Sequence, residues 1–208
     1  MSIPENTKRR LVLLNRLLST FNGKTITSQK IETLTGWSAT VVRRDISLLG
    51  IICGASNGYK VGELKSKLEL TLNLATKNQK CCIVGLGKTG QSLLNSTELD
   101  DSPFDIVAGF DSNVNRTEVL HSIFPLHPTT KLCEIINEEK ISYAILTVNH
   151  DEAQSLTNVL CDCGIKGIVN YTQCVLTVPK NVKVENVSLL TALETLCAGV
   201  ADVGELTV

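Results

Sequence analysis

Cys81-Cys82-Ile83-Val84-Gly85-Leu86-Gly87-Lys88-Thr89-Gly90 is the stretch whose reading decides the fold. A short apolar run, Cys81 to Val84, enters a turn of the form G-x-G-x-x-G, and a helix is expected from Gly87 to about Thr97. Strand, glycine turn and helix in that order are the context in which the motif acquires a mechanism. Gly85 allows the tight turn, Gly87 lets backbone approach a pyrophosphate, and Gly90 lets the helix pack closely on the strand. The start of the helix offers free N–H groups and a positive dipole end to phosphate. Asp111 ends the next predicted strand, Ile106–Phe110, and lies 21 residues beyond Gly90. A carboxylate there suits a ribose 2′-hydroxyl and disfavours a 2′-phosphate, so NAD(H) is expected over NADP(H), although Arg116 is near enough to soften the preference.

Working outward toward the C-terminus, strands and helices alternate. Helices are expected from Thr130 to about Lys140 and from Asp151 to about Cys163, and strands over Tyr143–Val148, Ile165–Val169 and Val182–Val187. A last helix runs from about Ser188 to Val200. This alternation implies a parallel sheet with crossover helices, an α/β fold of Rossmann type. The candidate cofactor-binding residues are Gly85, Leu86, Gly87, Lys88, Thr89, Gly90, Asp111, Thr147, Val148 and Asn149.

Toward the N-terminus the pattern is different. Leu11, Leu14, Leu18 and Phe21 follow helical spacing from about Asn6, and Asn22-Gly23 stops the run. Thr27 caps a short second helix that ends at Gly36, and Ser38 caps a third from about Ala39 to Leu49. In the third helix Val42, Ile46 and Leu49 face inward, leaving Thr40, Arg43, Arg44 and Ser47 outward. Two short helices around a glycine turn, the second carrying exposed arginines, form the helix-turn-helix pattern. Ile51-Ile52-Cys53 and Tyr59-Lys60-Val61 around Gly54–Gly58 read as a hairpin, hence a wing. A linking helix should run from Glu63 to Ala75, and Thr76–Lys80 is the polar boundary. The expected domains are residues 1–76, a winged-helix head; 77–187, the dinucleotide-binding body; and 188–208, a C-terminal dimerisation helix and tail.

Charge divides the same way. Residues 1–67 hold 11 Lys+Arg against 4 Asp+Glu, and residues 68–208 hold 9 against 17. A basic head on an acidic body suggests that the head meets a polyanion. Arg43 and Arg44 suit the bidentate reading of guanine. Lys8, Arg9 and Arg10 suit phosphate, and Asp45 would orient an arginine or cap locally. The candidate DNA-binding residues are Lys8, Arg9, Arg10, Ser38, Thr40, Arg43, Arg44, Ser47, Tyr59 and Lys60. No apolar run reaches the roughly 18–20 residues of a membrane span, and no export signal stands at the N-terminus. The eight cysteines are therefore expected as reduced thiols in a cytoplasmic protein, most of them small core residues. No metal-ligand spacing is present. His150 could be nominated as a catalytic base, but a loop histidine near the cofactor is the simpler reading. With no evident acid or base and little chain for a substrate domain, a sensor is favoured over a small NAD-dependent oxidoreductase.

Taken together, these residues resemble the Rex family of redox-sensing transcriptional repressors over nearly the whole chain. The matching segments include Arg10-Leu11, Arg16, Ser38-Ala39, Val42–Ser47, Gly58-Tyr59, Gly85–Gly90, Phe110-Asp111, Leu146–Val148, Gly164–Ile168 and Val178-Pro179. The resemblance implies a homodimer with an exchanged C-terminal helix. It also implies binding to double-stranded operator DNA and release when NADH replaces NAD⁺. The departures from the family pattern gather at the nicotinamide-reading end. Ser96 stands where the family carries a tyrosine, Ser188 where it carries an aspartate, and Leu189 where it carries an aromatic. Ala55, Asn149 and Tyr171-Thr172-Gln173 also depart. A regulator that binds DNA but responds weakly to NADH, or to another adenine nucleotide, is the alternative.

Overall fold

The computed structural model describes residues 3–51, 58–74, 78–97, 99–100 and 102–204, with side chains through residue 198. The chain forms two compact units, Met1–Lys77 and Asn78–Val208.

In the head, α1 (Glu5–Thr20), α2 (Ser28–Thr35), α3 (Ala39–Ser47) and α4 (Val61–Thr71) surround one core. Leu11, Leu14 and Leu18 of α1 pack with Ile31, Val42, Ile46, Leu64 and Leu68. The caps fall where the hydroxyls are. Thr27 Oγ1 accepts from the Lys30 N–H at 3.1 Å, and Ser38 Oγ accepts from the Val41 N–H at 3.4 Å. Each satisfies a donor left orphaned at a helix start. Gly36, with φ +75°, ends α2 in the left-handed conformation that a non-glycine residue adopts at a cost. Two short strands, β1 (Thr25–Ile26) and β2 (Tyr59–Lys60), pair antiparallel. Most of the expected hairpin falls outside the described residues. Tyr59-Lys60 pairs with Thr25-Ile26, Val61 opens α4, and Ile52, Cys53 and Gly54–Asn57 lie outside the described residues.

In the body, six parallel strands stand in the order β5-β4-β3-β6-β7-β8. They are β3 (Gln79–Val84), β4 (Phe104–Asp111), β5 (Leu126–Pro128), β6 (Tyr143–Leu146), β7 (Gly167–Asn170) and β8 (Lys183–Asn186). Counted from β3, this is the doubly wound order 3-2-1-4-5-6, with the topological switch point between β3 and β6. Among the described residues the helices of this unit are α5 (Lys88–Leu94), α6 (Val114–Val119), α7 (Leu132–Glu139), α8 (His150–Asp162) and α9 (Leu189–Gly204). A single 3₁₀ turn, Thr129–Lys131, precedes α7. Successive residues of β3 point to opposite faces, as the pleat requires. Cys82 and Val84 join Leu132, Ile136, Ala153 and Leu160 of α7 and α8, whereas Ile83 joins Leu86, Leu94 and Phe124. Strands covered on both faces explain the continuous apolar run that marks β3 in the sequence.

One expectation is overturned here. Cys133, in the first turn of α7, and Cys163, which caps α8, are joined as a disulfide with Cα atoms 5.0 Å apart. Packing of α7 beside α8 brings the two within disulfide reach. Cys81, Cys82, Cys161, Cys174 and Cys197 are free thiols. Burial pushes the Cys81 thiol up to about 12 and raises that of Cys82 as well.

Candidate functional site

The cleft in the body is built where β3, β4 and β6 end. Gly85 follows Val84 with φ +100°, and a Cβ there would stand 2.7 Å from Val148 Cγ1 and 2.8 Å from the Val148 nitrogen. Only glycine supplies both that φ and that clearance. Gly90 lies against the Gly85 carbonyl oxygen so closely that a Cβ would overlap it. Around Gly87 the reverse holds: nothing lies within 4 Å of where its Cβ would be, so the backbone is open to a ligand. Two glycines are thus fixed by packing, while the middle one leaves space for a group such as a pyrophosphate. Thr147 ties the switch point together by donating from Oγ1 to the Gly85 carbonyl at 2.6 Å. α5 is short, seven residues, so its dipole adds little beyond the amides of the turn itself.

Asp111 is buried at the end of β4, and both of its oxygens are engaged. Oδ2 accepts from the Leu86 N–H at 2.7 Å and Oδ1 from the Asn113 N–H at 2.7 Å. Arg116 Nη1 approaches at 3.3 Å, with about half of its side chain exposed. A carboxylate offers about four lone-pair positions, and with Arg116 Nη1 also 3.5 Å from Oδ1 all four are engaged, so a ribose hydroxyl would take the place of Arg116. The same wall carries Ser112, Arg116, Glu152 and Leu156 beside Val148 and Asn149. Sequence reasoning had noted Arg116 only as a modifier and missed the other three. Glu152 and Leu156 sit one helical turn apart near the start of α8, a spacing visible in the sequence once that helix is placed over the cleft. His150 opens α8 and is exposed. A larger hollow of about 580 Å³, walled by Leu93, Phe104 and Phe124 among others, contains none of the fingerprint residues. The chemistry belongs to the glycine turn, not to the larger space.

On the head, α3 presents Thr40, Arg43, Arg44 and Ser47 to solvent while Val42, Ile46 and Leu49 are buried. Arg43 is held rather than free. Its Nη1 donates to Ser28 Oγ at 3.1 Å and its Nη2 to Thr40 Oγ1 at 3.3 Å. Ser47 Oγ donates to the Arg44 carbonyl at 2.7 Å. Lys8 pairs with Glu5 at 3.2 Å and Lys60 with Glu63 at 2.7 Å, both at the surface. Two expected DNA contacts are placed differently. Tyr59 is only 4% exposed and packs in the head's core, because in a two-residue strand one side chain points inward and the other, Lys60, outward. Arg10 turns to Asp45 and donates from Nε to Oδ2 at 2.6 Å and from Nη2 to Oδ1 at 3.0 Å. Thr7 Oγ1 donates to the same carboxylate at 3.0 Å. The hydrogen bond to Asp45 raises the Arg10 pKa, so this guanidinium stays charged. Arg9 is exposed.

Comparison with known proteins agrees with this two-part architecture. Residues 2–47 match the family model for a putative DNA-binding protein N-terminus, and residues 76–174 match that for a CoA binding domain. The redox-sensing transcriptional repressor Rex of Leuconostoc citreum is 33% identical, over 99% of this chain and 96% of that protein. The Rex of Levilactobacillus brevis is 36% identical over 93% of this chain and 92% of its own length. Among solved structures, RSP in complex with β-NAD⁺ and operator DNA superposes with a TM-score of 0.87 at 27% identity, each chain covered in full. RSP in complex with β-NADH superposes at 0.83 with 28% identity, covering 97% of this chain and 96% of that one. With sequence identity above 30% sustained along nearly its whole length, the chain belongs to the Rex family of redox-sensing transcriptional repressors.

Proposed function

We propose that this chain is a transcriptional repressor whose hold on operator DNA follows the NADH/NAD⁺ balance. The observation that carries the reading is one chain holding both an exposed Thr40-Arg43-Arg44-Ser47 row and an open glycine turn at a switch point. Full-length likeness to a repressor solved with NAD⁺ and operator DNA supports it. The residues present fit the dinucleotide. The amides of the Gly85–Gly90 turn would hold its pyrophosphate, Asp111 with Arg116 its adenosine ribose, and Thr147, Val148 and Asn149 the wall toward the nicotinamide. The protein acts as a regulator rather than an enzyme, and it works in the cytoplasm. Among the described residues no helix is long and apolar enough to cross a membrane.

Arg44 and Arg43 reach base edges in the major groove, with Ser38, Thr40 and Ser47 beside them. Lys8, Arg9 and Lys60 meet phosphate. Arg10 contributes through Asp45 by holding α1 against α3. Residues 1–76 serve as the DNA-binding part and residues 77–187 as the nucleotide-binding part. Residues 188–208 carry dimerisation. Leu189, Leu190, Leu193 and Leu196 of α9 are exposed in the single chain, Leu189 by 78%. An apolar row of that size is covered in the working protein, and an exchanged helix in a homodimer covers it. The side chain of Val200, where the last helix was expected to end, lies outside those described.

A second reading is favoured by one observation. Ser188 Oγ accepts from the Thr191 N–H at 3.1 Å and so caps α9. A hydroxyl used in this way offers no charge with which to tell NAD⁺ from NADH. On this reading the protein binds DNA and both nucleotides but answers weakly to their ratio. Operator titration by fluorescence anisotropy, without ligand and with NAD⁺ or NADH, decides between them. The primary reading requires specific, salt-sensitive operator binding that NADH weakens. Equal binding under all three conditions leaves the second reading, and no operator affinity refutes both.

A further inference from the structure

We propose that Cys133 and Cys163 form a reversible thiol–disulfide couple through which low-molecular-weight disulfides act on the nucleotide-binding unit. The inference rests on the reading above, because a DNA-bound regulator works among reduced thiols. Disulfides found there are characteristically transient, sensing or catalytic rather than structural.

The two sulfurs differ in access. Cys133 is exposed in the first turn of α7. Cys163 is buried at the end of α8 and packs with Leu160 and Ile165. A small reagent therefore meets Cys133 first, and Cys163 acts as the resolving partner. The Cys133 thiolate attacks one sulfur of an external disulfide, forming a mixed disulfide and expelling one small thiol. Cys163, having given up its proton, then attacks the Cys133 sulfur and expels the second. Two protein thiols thus lose two electrons and two protons, and the external disulfide gains them and leaves as two thiols. Three of the other described cysteines are poor competitors, whereas the half-buried Cys174 and the exposed Cys197 are open to the same reagent but form no pair. Cys81 and Cys82 are buried, and desolvation holds their thiols protonated. Cys161, two residues before Cys163, is shifted the same way by burial and by Asp162.

The couple also has a route to the cleft. α8 ends at Cys163 and begins at the site, where Asn149 precedes it and Glu152 and Leu156 line the wall. A bond from the end of α8 to α7 limits how α8 can adjust to a bound nucleotide. The oxidised and reduced forms then differ in nucleotide affinity, and by linkage the nucleotide shifts the couple by the same factor.

The test uses the full chain equilibrated in graded ratios of oxidised to reduced glutathione. The samples are quenched, alkylated and mapped by peptide mass spectrometry. The expected result is joint loss of two thiols, one linked peptide joining Cys133 to Cys163, and full recovery with dithiothreitol. Cys133→Ser, at an exposed position, should fold normally and never form the link. No linked peptide at any ratio would overturn the couple, as would a stable glutathione adduct on Cys133 or a link to Cys161. Calorimetry with NADH on the two trapped forms should give dissociation constants at least about fivefold apart, the low end of ordinary site-to-site coupling. Equal constants would overturn the action on the nucleotide. Absence of NADH binding in both forms would instead refute the nucleotide reading, and the peptide map would still decide the couple.

Discussion

Replacing Asp45 by alanine removes an acceptor that three donors share. The carboxylate is 4% exposed and takes Arg10 Nε, Arg10 Nη2 and Thr7 Oγ1. Hydrogen bonds to a charged group are each worth about 1.5–3 kcal/mol net, and a neutral one about 1. Removing one partner of a fully buried ion pair costs about 3–5 kcal/mol. The Arg10 side chain, however, keeps 28% of its surface in water. Its guanidinium can therefore rehydrate in part, which places the loss near 2–3 kcal/mol. The readout is convenient. Trp37, the single tryptophan, packs partly buried against the head's core, so its fluorescence follows unfolding of the head in urea. The Asp45→Ala midpoint should fall with an unchanged slope, since no more surface is exposed on unfolding. The pair Arg10→Met with Asp45→Leu should recover most of the loss, because an apolar pair of similar volume avoids the desolvation of charges. A loss below about 0.5 kcal/mol for Asp45→Ala, the range of ordinary surface changes, would refute the view that this carboxylate fixes α3 to α1.

Other outcomes follow from the same geometry. Arg44→Ala should cost about 1–3 kcal/mol of operator affinity and relax specificity, whereas Lys8→Ala should weaken binding to all sequences alike and flatten the salt dependence; anisotropy titrations on varied duplexes separate the two. Gly87→Asp should fold, since nothing crowds that position, yet lose NADH binding by calorimetry, while Gly90→Ala should destabilise the body itself through its overlap with the Gly85 carbonyl. Truncation after Val187 should give a monomer or an insoluble chain by analytical ultracentrifugation, with much weaker operator binding because two half-sites are no longer engaged together. NAD⁺ and NADH should bind with affinities within about tenfold, or about 1.4 kcal/mol; a hundredfold preference for NADH would show that residues other than Ser96, Ser188 and Leu189 read the ring.

The parts that were legible in the sequence are those where backbone geometry or periodicity forces a residue type. Gly85 and Gly90 could be assigned separate tasks in advance because a turn and a close packing each exclude a side chain. Thr27 and Ser38 announced helix starts because a hydroxyl there replaces a missing backbone acceptor. The misses come from short elements and long-range pairs. β1 has two residues and β5 three, one of them Pro128 on an edge, so neither carries a countable alternation. Tyr59 beside Lys60 read as a surface wing, but which of two alternating residues faces the core depends on the strand opposite, Thr25-Ile26. Arg10 looked like one member of a basic cluster. Its true partner is Asp45, thirty-five positions away, and was approached only from the other end, as a carboxylate expected either to orient an arginine or to cap locally. The cysteine pair, thirty positions apart, has no local signature at all.

The cleft's own geometry limits how the protein can sense redox state. Oxidised and reduced nucleotides share the adenosine and the pyrophosphate, so on the proposed binding mode the glycine turn, Asp111 and Arg116 would give both the same stabilisation. Such uniform contacts raise affinity without shifting any conformational equilibrium, because a ligand moves an equilibrium only through differential affinity. All discrimination must come from groups that meet the nicotinamide, where the two forms differ by one charge and by ring planarity. In this chain Ser188 is occupied in capping α9, and Leu189 begins an apolar row that is exposed in the single chain. Two of the three positions at which the chain departs from the family pattern at the ring, Ser188 and Leu189, therefore lie at the start of the element that most needs a second copy of the chain. If α9 is covered by a partner, Leu189 is positioned by that partner, and discrimination between the nucleotides becomes a property of the dimer. Dilution below the dimerisation constant should then leave nucleotide binding intact and erase the remaining difference between NAD⁺ and NADH. Isothermal titrations repeated at falling protein concentration would detect this, and a difference that persisted in the monomer would place the sensing residues within a single chain.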